Sequence, residues 1–349
     1  MKNPRSDASG LLMSQNTAPH VPYDITAFGE ILIDFTAQGC NEEGQTLYAR
    51  NAGGAPANVA VAAAKLGAHT AFLGKVGQDM HGQFLQEVLK KEKVETKGLR
   101  FDARYFTTLA FVNIDSAGER TFAFARKSGA DTKIQREELD PALLDHTHIF
   151  HVGSLSLTDE PARDAAFYAV ERAKSNGSLI SYDPNYRASL WEDEQTAKKY
   201  MRSLIPYADL MKISEEETVL LTDCSDAQEA ARALYAQGVS VVVVTLGGQG
   251  AYVYSKAGGR MVAGFPTQHL TDTTGAGDSF WGGFLYQICA AKKPLAQMTL
   301  DELAAYARFA NAAASLCVEK NGAIPAMPTF QQVEARLKNN RPNPARSHL

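Results

Sequence analysis

Short apolar runs alternate with longer amphipathic segments over residues 23–337. The short runs are hydrophobic at nearly every position, which is typical of strands buried on both faces of a parallel sheet. Their alternation with helical segments predicts an α/β fold with a doubly wound, mostly parallel sheet flanked by helices. The predicted strands are Asp24–Phe28, Thr70–Gly74, His148–Val152, Leu179–Asp183, Asp209–Ile213 and Val239–Thr245, and the predicted helices are Pro56–Leu66, Met80–Lys91, Glu160–Ser175, Thr196–Leu204 and Asp226–Ala236.

One segment departs from this alternation. Between Thr107 and Arg126, apolar and polar residues alternate on both sides of a turn sequence at Asp115–Gly118, which is typical of a β-hairpin. A hairpin does not belong in the core of a parallel sheet, so we expect it to stand off the domain together with the turn-rich stretch Asp34–Arg50. The two stretches, at about 35–50 and 105–128, are interpreted as a small β lid. An edge hairpin with no gating role is equally consistent with the pattern.

Composition and charge narrow the class of protein. Of the 349 residues, 45% are hydrophobic and 21% are charged, which excludes wholesale disorder. A net charge of −4 provides no basic field for nucleic acid, and no apolar stretch approaches the roughly 20 residues that a membrane span needs. We therefore expect neither nucleic acid nor a membrane as a partner. The cysteines form no CxxC pair, and with no signal peptide this predicts reduced thiols and a cytoplasmic location; they are Cys40, Cys224, Cys289 and Cys317.

No repeat or low-complexity linker divides the chain. Residues 23–337 are therefore predicted to form one domain, between a flexible N-terminal tail at 1–22 and a flexible C-terminal tail at 338–349.

The clearest chemical signal is Asp272–Asp278, with the sequence DTTGAGD. Two glycines around an alanine allow a tight turn, and the helix that begins there adds its N–H groups and the positive end of its dipole, which suits a phosphate. A carboxylate in that first turn would repel a resting phosphate. It makes sense if Asp278 accepts the proton of a hydroxyl group as a phosphoryl group arrives. Taken alone, the segment fits even better the commoner role of an acidic residue that stabilises the helix dipole.

Two other phosphate-binding motifs are excluded. The third glycine of a dinucleotide fingerprint is replaced by Phe280, which disfavours a nicotinamide-dependent dehydrogenase. No GxxxxGK[ST] run exists, which excludes a P-loop NTPase. The histidines His146, His148 and His151 lack a completing carboxylate or cysteine, and we interpret them as structural.

A second glycine cluster, Asn51–Asn58, opens an alanine-rich helix. Its paired glycines let the main chain approach a ligand closely. The Asn58 amide can donate to and accept from a sugar hydroxyl, or it can cap the helix or face solvent. Asp34 follows an apolar run and is expected at the carboxyl end of a strand, where it would hold two vicinal hydroxyls or cap a turn. Arg187 also follows a strand and would meet a polar group or form a surface ion pair.

Together and in this order, Gly53–Asn58 and Asp272–Asp278 resemble the two motifs of the ribokinase-like (PfkB) sugar kinases. The resemblance covers everything between the tails and implies a mostly parallel sheet with a small β lid that closes over the sugar. Within that family the chain is most similar to the fructokinases, on Gly29–Phe35, on Asp183–Arg187 with Leu190–Trp191, and on Lys212–Glu217.

The resemblance also implies roles for individual residues. Asp278 would be the catalytic base, beside an anion hole formed by the amides of Gly275, Ala276 and Gly277. The sugar would be held by Asp34, Gly53, Gly54, Asn58, Arg126 and Arg187. The nucleotide pocket would be lined by Thr245, Gly247, Gly250 and Asn311.

The implied cofactors are ATP, Mg²⁺ and, in a monovalent-cation loop, K⁺. Glu217 would lie in the water shell of Mg²⁺ bound to ATP, and Asp272 and Thr274 match the cation loop. The chain departs from the family at two places. Ser214 stands where the family has the asparagine of its Asn-x-x-Glu motif. The segment Val318–Ala323 differs from the family's common Thr-Arg form, which leaves potassium dependence open.

The implied reaction is transfer of the γ-phosphoryl group of ATP to the primary hydroxyl of fructose, giving fructose 6-phosphate and ADP. The same chemistry on 2-keto-3-deoxygluconate, whose carboxylate Arg187 would meet, or on ribose or a nucleoside remains open. A silent sugar sensor on the same fold is a remote alternative, because a sensor does not need Asp278. Lid strands in this family often pair between subunits, so a homodimer through the lid is the implied assembly.

Overall fold

The computed structural model describes residues 23–114 and 120–339, and these form a nine-stranded sheet covered by helices and a separate four-stranded sheet. The predicted α/β fold is confirmed. The strands are β1 (Tyr23–Phe28), β2 (Leu32–Cys40), β3 (Thr46–Gly53), β4 (Thr70–Gly77), β5 (Glu95–Asp102), β6 (Leu109–Ile114), β7 (Arg120–Ala125), β8 (Thr147–Gly153), β9 (Leu179–Asp183), β10 (Leu210–Ser214), β11 (Val241–Thr245), β12 (Gly250–Ser255) and β13 (Gly258–Ala263). The helices are α1 (Ala55–Leu66), α2 (Met80–Lys91), α3 (Pro141–Asp145), α4 (Ala162–Ser175), α5 (Glu194–Ser203), α6 (Thr218–Thr222), α7 (Ala227–Ala236), α8 (Ala276–Ala290), α9 (Leu300–Cys317) and α10 (Phe330–Asn339).

The large sheet has the order β13-β12-β11-β10-β9-β8-β1-β4-β5. All neighbouring strands are parallel except β12, which is antiparallel to both β11 and β13. The chain runs from β1 outward to β4 and β5, and then returns to β8 on the other side of β1. The order therefore reverses between β1 and β8, and α/β proteins bind ligands at the carboxyl ends of the strands beside such a switch point.

Both faces of the large sheet are buried. On β1, Phe28 packs in a cluster on one face with residues of α4, and Ile25 packs in a cluster on the other face with residues of α8 and α9. All eight residues of β4 are buried. Burial on both faces explains why these strands are apolar at nearly every position.

The small sheet has the order β3-β2-β6-β7. The predicted hairpin is confirmed as the antiparallel pair β6 and β7, while its turn at 115–118 lies outside the described residues. The stretch predicted to join it forms β2 and β3, and Phe35 of β2 stacks on Phe111 of β6 with ring centroids 5.4 Å apart. Closure of this sheet as a lid stays a prediction.

Several predicted boundaries differ from the structure by one to three residues, and hydrogen bonds explain two of the differences. The helix predicted at Thr196 begins at Glu194, because the side chain of Asp193 accepts a hydrogen bond from the amide of Thr196 at 2.7 Å and caps the helix there. Strand β11 begins at Val241 rather than at Val239. The amide of Val239 instead donates to the carbonyl of Leu234 at the end of α7. Within the described residues, no helix combines the length and the apolar character needed to cross a membrane.

Helices α1 and α8 approach each other closely at Gly282. A Cβ atom there would lie 2.6 Å from the Cβ of Ala62 and 2.9 Å from the carbonyl oxygen of Val59, both on α1. The adjacent Gly283 faces α9, where a Cβ atom would make an ordinary contact at 3.4 Å from the Cα of Ala310. Only the first glycine is therefore required by the packing.

We expect Gly282→Ala to lower the free energy of unfolding by about 1–3 kcal/mol, because the added methyl group pushes α1 and α8 apart. Gly283→Ala is the matched control, and we expect it to be neutral or to stabilise by up to about 1 kcal/mol, since alanine favours a helix over glycine. Urea unfolding of both variants measures the difference. Equal effects at the two positions would contradict this account of the packing.

Candidate active site

A cavity of about 410 Å³ lies where the switch point of the large sheet meets the small sheet. Its wall combines loops after β1, β8 and β9 with residues of β2 and β7 and the beginning of α8. The residues that line it are Glu30, Leu32, Asp34, Gly54, Ala55, Asn58, Phe124, Leu155, Asn185, Arg187, Leu190, Lys212, Thr273, Thr274, Gly275, Gly277 and Asp278.

Asp278 lies in the first turn of α8 and is buried. Its Oδ2 accepts a hydrogen bond from Nδ2 of Asn58 on α1 at 2.8 Å, and its Oδ1 accepts one from Nδ2 of Asn185 at 3.3 Å. No side chain of the described residues caps this helix. The carboxylate is therefore held by two amides from other parts of the cavity wall rather than by the end of its own helix.

Two opposing effects act on the acidity of Asp278. Burial raises its pKa above the ordinary aspartate value, while the hydrogen bond from Asn58 and the charges of Lys212 and Arg187 lower it. The result is a carboxylate more basic than one in water, whose ionised form is still supported by a donor. Such a group suits proton transfer from an alcohol.

The glycine turn before α8 depends on its backbone conformation. Gly275 has φ +78°, and a Cβ atom there would lie 2.9 Å from the Cα of Ala323. The amide of Ala276 already donates to the carbonyl of Thr273 at 3.2 Å, so this N–H of the predicted anion hole has a partner within the protein. The role of the turn as an anion hole stays a prediction, and it depends mainly on Gly275, Gly277 and the following N–H groups of the helix.

Asp34 reaches the cavity by a different route from the one expected. It lies inside β2 of the small sheet, paired with Asn51 and Ala110, and not at the carboxyl end of a strand in the large sheet. The expectation was wrong because β2 begins at Leu32 and continues past Asp34 to Cys40, so Asp34 lies near the start of a strand rather than at its end.

The carboxyl group of Asp34 occupies space that Gly53 leaves open. A Cβ atom on Gly53 would overlap Oδ2 of Asp34, so glycine is required there by the carboxyl group itself. Burial raises the pKa of Asp34 to about 7, and the positive charge of Arg187 opposes this shift. Asp34 therefore titrates near neutral pH.

Glu30 is a cavity residue that sequence reasoning missed. It follows β1 directly and is only 2% exposed. Its Oε1 accepts from the amide of Ala55 at 2.9 Å, and burial raises its pKa to about 7. Gly54 has φ +106°, and a Cβ atom there would lie 2.5 Å from the carbonyl oxygen of Glu30. The sequence feature that could have identified Glu30 as a site residue is its position just after the carboxyl end of β1, beside the switch point.

Lys212 and Asp183 form a second feature that was missed. Nζ of Lys212 on β10 lies 2.9 Å from Oδ2 of Asp183 at the end of β9, and both side chains are buried. The ammonium group also lies over the glycine turn, 3.1 Å from the position of a Cβ atom on Gly277. The available signal was opposite charges on two predicted strands, whose adjacency only the structure shows.

Arg126 does not line the cavity, contrary to the expectation that it holds the sugar. It is 4% exposed, and its Nε donates to Oδ2 of Asp131 at 2.8 Å. Its other two nitrogens donate to the hydroxyl of Thr158 and to the carbonyl of Leu155, each at 2.8 Å. Its guanidinium group thus supports the loop after β8, of which Leu155 is a lining residue.

The four residues predicted to line a nucleotide pocket lie outside this cavity. The hydroxyl of Thr245 donates to the carbonyl of Ile213 at 3.3 Å. Nδ2 of Asn311 donates to the carbonyls of Val262 and Ala263, both at 3.1 Å. These contacts hold neighbouring elements together, and nucleotide binding at these residues stays a prediction. The glycines in this group, Gly247 and Gly250, have φ +54° and φ +111°.

Glu217 is buried and joins two parts of the cavity rim. Its Oε1 accepts from the amide of Tyr186 at 2.7 Å, and its Oε2 accepts from the amide of Ser214 at 2.8 Å. Ser214 and Glu217 form a reciprocal capping box, which explains how serine functions at the position where the family has asparagine. Contact with the water shell of a metal ion stays a prediction.

Asp272 joins the glycine turn to the segment before α10. Its Oδ1 accepts from the amide of Thr274 at 2.7 Å, and its Oδ2 accepts from the amide of Gly322 at 2.9 Å. The two segments expected to form a cation loop are therefore adjacent. Among residues 23–114 and 120–339, no group of three or more His, Cys, Asp or Glu side chains is placed to hold a metal ion.

The histidine residues of β8 point to opposite sides, with His148 exposed and His151 buried. Nε1 of Trp281 donates to the hydroxyl of Ser181 at 2.9 Å, and that hydroxyl lies 3.0 Å from Nδ1 of His151. Because indole is only a donor, the hydroxyl oxygen of Ser181 accepts the bond from Trp281. Burial and the charge of Lys212 lower the pKa of His151 to about 3, so it stays neutral.

The fold and the cavity define an α/β protein with a ligand site at a topological switch point, where a carboxylate stands beside a glycine turn at a helix N-terminus. The family described as pfkB family carbohydrate kinase matches residues 23–330. The chain belongs to this family, and it is a carbohydrate kinase by that membership.

Named relatives agree with this assignment. Probable fructokinase-6, chloroplastic, from Arabidopsis thaliana is 40% identical over 344 residues, which cover 97% of this chain and 88% of the relative. The crystal structure of fructokinase with bound ATP from Xylella fastidiosa has a TM-score of 0.84 at 33% identity and covers 90% of this chain and 98% of its own. The fructokinase from Vibrio cholerae O395 in its fructose, ADP and calcium ion bound form has a TM-score of 0.82 at 34% identity, with 90% and 98% covered.

Replacing Asn58 by leucine is expected to raise the pKa of Asp278 further, because the variant removes the amide that donates to the ionised carboxylate while burial remains. Carboxyl ¹³C chemical shifts, followed against pH in protein labelled at aspartate, measure this pKa, and the spectrum of Asp278→Asn assigns the signal. A pKa that stays the same or falls in Asn58→Leu would show that the hydrogen bond does not control the acidity of Asp278.

Proposed function

We propose that this chain transfers the γ-phosphoryl group of ATP to the primary hydroxyl of fructose and releases fructose 6-phosphate and ADP. The observation that carries the proposal is the position of Asp278, which lines one cavity with the glycine turn on one side and with Asn58 and Asp34 on the other. Fructokinase relatives with ATP or with fructose and ADP bound support the choice of nucleotide and sugar.

The chain's own residues supply the proton transfer and the charge stabilisation. Asp278 accepts the proton of the attacking hydroxyl, and the N–H groups at the start of α8 stabilise negative charge on the transferred oxygens. Mg²⁺ bound to the nucleotide supplies further neutralisation of phosphate charge. Glu217 is the residue that would hold its waters, consistent with the usual binding of Mg²⁺ through phosphates and few carboxylates.

The acidic wall of the cavity favours a neutral acceptor. Glu30, Asp34 and Asp278 all line it, and Asn58 has a buried Oδ1 without a hydrogen-bond partner in the part of the chain that the structure describes. Sugar hydroxyls can donate to these oxygens, whereas a carboxylate would be repelled by them. Arg187 is exposed and donates to the carbonyl of Tyr186, so it is weakly placed to compensate a keto-acid substrate.

Three further proposals accompany this one. The adjacency of Thr274 and Gly322 around Asp272 suits a monovalent cation, so K⁺ is proposed as an activator. A homodimer through the small sheet is proposed from the family resemblance. A cytoplasmic location is also proposed, although the Arabidopsis relative is named as chloroplastic.

An assay that couples ADP release to NADH oxidation tests the function directly. We expect fructose to be the preferred acceptor over ribose, 2-keto-3-deoxygluconate and a nucleoside, with and without potassium. Preference for 2-keto-3-deoxygluconate would refute the substrate assignment. Binding of sugars without ADP formation from any of them would instead support the sensor alternative.

Asp278→Asn is expected to lower turnover by about a hundredfold or more, because the amide cannot accept the hydroxyl proton. Sugar affinity should change little, since the amide oxygen can still accept from Asn58 at the same position. Steady-state kinetics give the turnover, and calorimetry gives the affinity. Turnover close to that of the wild type would remove the base assignment.

The affinity for fructose is expected to rise with pH from 6 to 8. The ionised carboxylate of Asp34 is the form that accepts hydroxyl hydrogen bonds, and with a pKa of about 7 it becomes ionised over this interval. One such group gives about a tenfold gain in affinity across the two pH units. Calorimetry without nucleotide at pH 6, 7 and 8 measures it.

Asp34→Asn is the matched control for this pH effect. The amide cannot ionise, so the variant should bind fructose more weakly and lose the dependence that Asp34 contributes. Glu30, with a pKa near the same value, would account for any small slope that remains. A full tenfold dependence in Asp34→Asn would assign the titration to another group.

A further inference from the structure

Lys212 is the buried cation of the cavity. Among the described residues that line the cavity, the only cationic side chains are those of Arg187 and Lys212, and Arg187 is exposed. The side chain of Lys212 is 7% exposed and extends from the middle of the large sheet to the glycine turn. Its Nζ lies 3.1 Å from the position of a Cβ atom on Gly277, so the ammonium group stands directly over the backbone at the start of α8.

The hydrogen bonds of this ammonium group are incomplete. A protonated lysine has three N–H donors. One is directed to Oδ2 of Asp183 at 2.9 Å, and the described residues offer no second acceptor to Nζ. The other oxygen of Asp183 is buried and has no hydrogen-bond partner among them either. A purely structural ion pair is usually stabilised by further hydrogen bonds on both sides, and this one is not.

The surrounding charges keep Lys212 protonated. Burial alone would favour the neutral amine, but the carboxylates of Asp183 and Glu217 raise the pKa of Lys212 above its ordinary value, and Asp278 adds to this effect. The neutral His151 contributes no competing charge. A fixed positive charge therefore stands at a helix N-terminus, within the same cavity wall as the proposed catalytic base.

We propose that Lys212 is a catalytic residue that binds the phosphoryl group during its transfer, and that Asp183 holds its ammonium group over the glycine turn between turnovers. The proposal rests on the proposed kinase function. Lys212 exchanges no proton in this step. As the acceptor oxygen bonds to phosphorus and the bond from phosphorus to the leaving ADP oxygen breaks, the hydroxyl proton moves to Asp278. The N–H groups of Lys212 meanwhile donate to the oxygens of the transferred group.

The competing explanation is that Lys212 only neutralises the buried charge of Asp183. Removal of one partner from a buried ion pair destabilises a protein in either case, because the other charge is left unpaired. A single substitution therefore cannot separate the two roles. Removal of both charges can, since it eliminates the need for neutralisation but does not restore a cation to the cavity.

The test is the double variant Lys212→Met/Asp183→Asn, compared with the wild type by steady-state kinetics and thermal unfolding. We expect turnover to fall by about a hundredfold or more, as for loss of a group that stabilises developing charge. Sugar affinity should change little. If the double variant does not fold, Lys212→Gln/Asp183→Asn replaces the ion pair by two amides that can hydrogen-bond to each other.

A second buried pair provides the matched control. Nζ of Lys75 lies 2.8 Å from Oδ2 of Asp102, both side chains are almost fully buried, and neither lines the cavity. Each has a further, more exposed charged partner, Glu138 for Lys75 and Arg104 for Asp102. Lys75→Met/Asp102→Asn should leave turnover within about threefold of the wild type if the folded fraction is taken into account. If the Lys212 double variant retains as much turnover as this control, Lys212 only neutralises Asp183 and the proposal is overturned.

A binding measurement separates this proposal from the identity of the sugar. Aluminium fluoride with ADP and Mg²⁺ mimics a phosphoryl group in transfer, and calorimetry gives the gain in ADP affinity when it is added. In the Lys212 double variant we expect this gain in ADP affinity to be at least about tenfold smaller than in the wild type. The affinity for ADP alone should be the same in both proteins. An unchanged gain would overturn the role of Lys212. Failure of the wild type to phosphorylate any sugar would contradict the kinase proposal alone.

Discussion

The hydrogen bond between Asn58 and Asp278 is the contact on which the site depends. It joins the first turns of α1 and α8, whose sequence motifs lie far apart along the chain, into one cavity wall. The contact requires the two helices to approach closely, and Gly282 permits this because any side chain there would collide with Val59 and Ala62. A packing constraint in the core thus determines the position and the acidity of a group at the surface of the cavity.

Charge balance is the second constraint on this region. Several carboxylates converge where the strands end, and each buried charge needs a partner or a raised pKa. Asp34 and Glu30 meet this requirement by titrating near pH 7, and Asp183, whose pKa burial likewise raises to about 7, is paired with Lys212. His151 remains neutral and adds no further charge. The cavity therefore combines a lysine that its neighbours keep charged with carboxyl groups whose pKa values burial raises.

Much of the fold could be predicted from the sequence because burial on both faces leaves a simple pattern. Strands β1, β4, β8, β9, β10 and β11 were recognisable as apolar runs. Antiparallel β13 was not predicted, since this edge strand is largely exposed and carries no apolar run. Its neighbour β12 was also missed, although it is almost fully buried. The glycine turn was recognisable because its chemistry is local. The lysine of the Lys212–Asp183 pair was missed because its partner lies on another strand, and such a contact is defined only by the order of strands in the sheet.

The expected role of Arg126 illustrates a further limit of sequence reasoning. An arginine at the end of a hairpin beside a ligand site is easily interpreted as a ligand, because its charge is evident and its partners are not. In the structure its guanidinium nitrogens donate hydrogen bonds to Asp131, Thr158 and Leu155. Asp131 also accepts from the hydroxyl of Thr108, just before β6, so this ion pair ties the small sheet to the loop after β8. The sequence locates the charged groups, but only the pairing among them distinguishes a residue that binds a ligand from one that fixes the wall of its cavity.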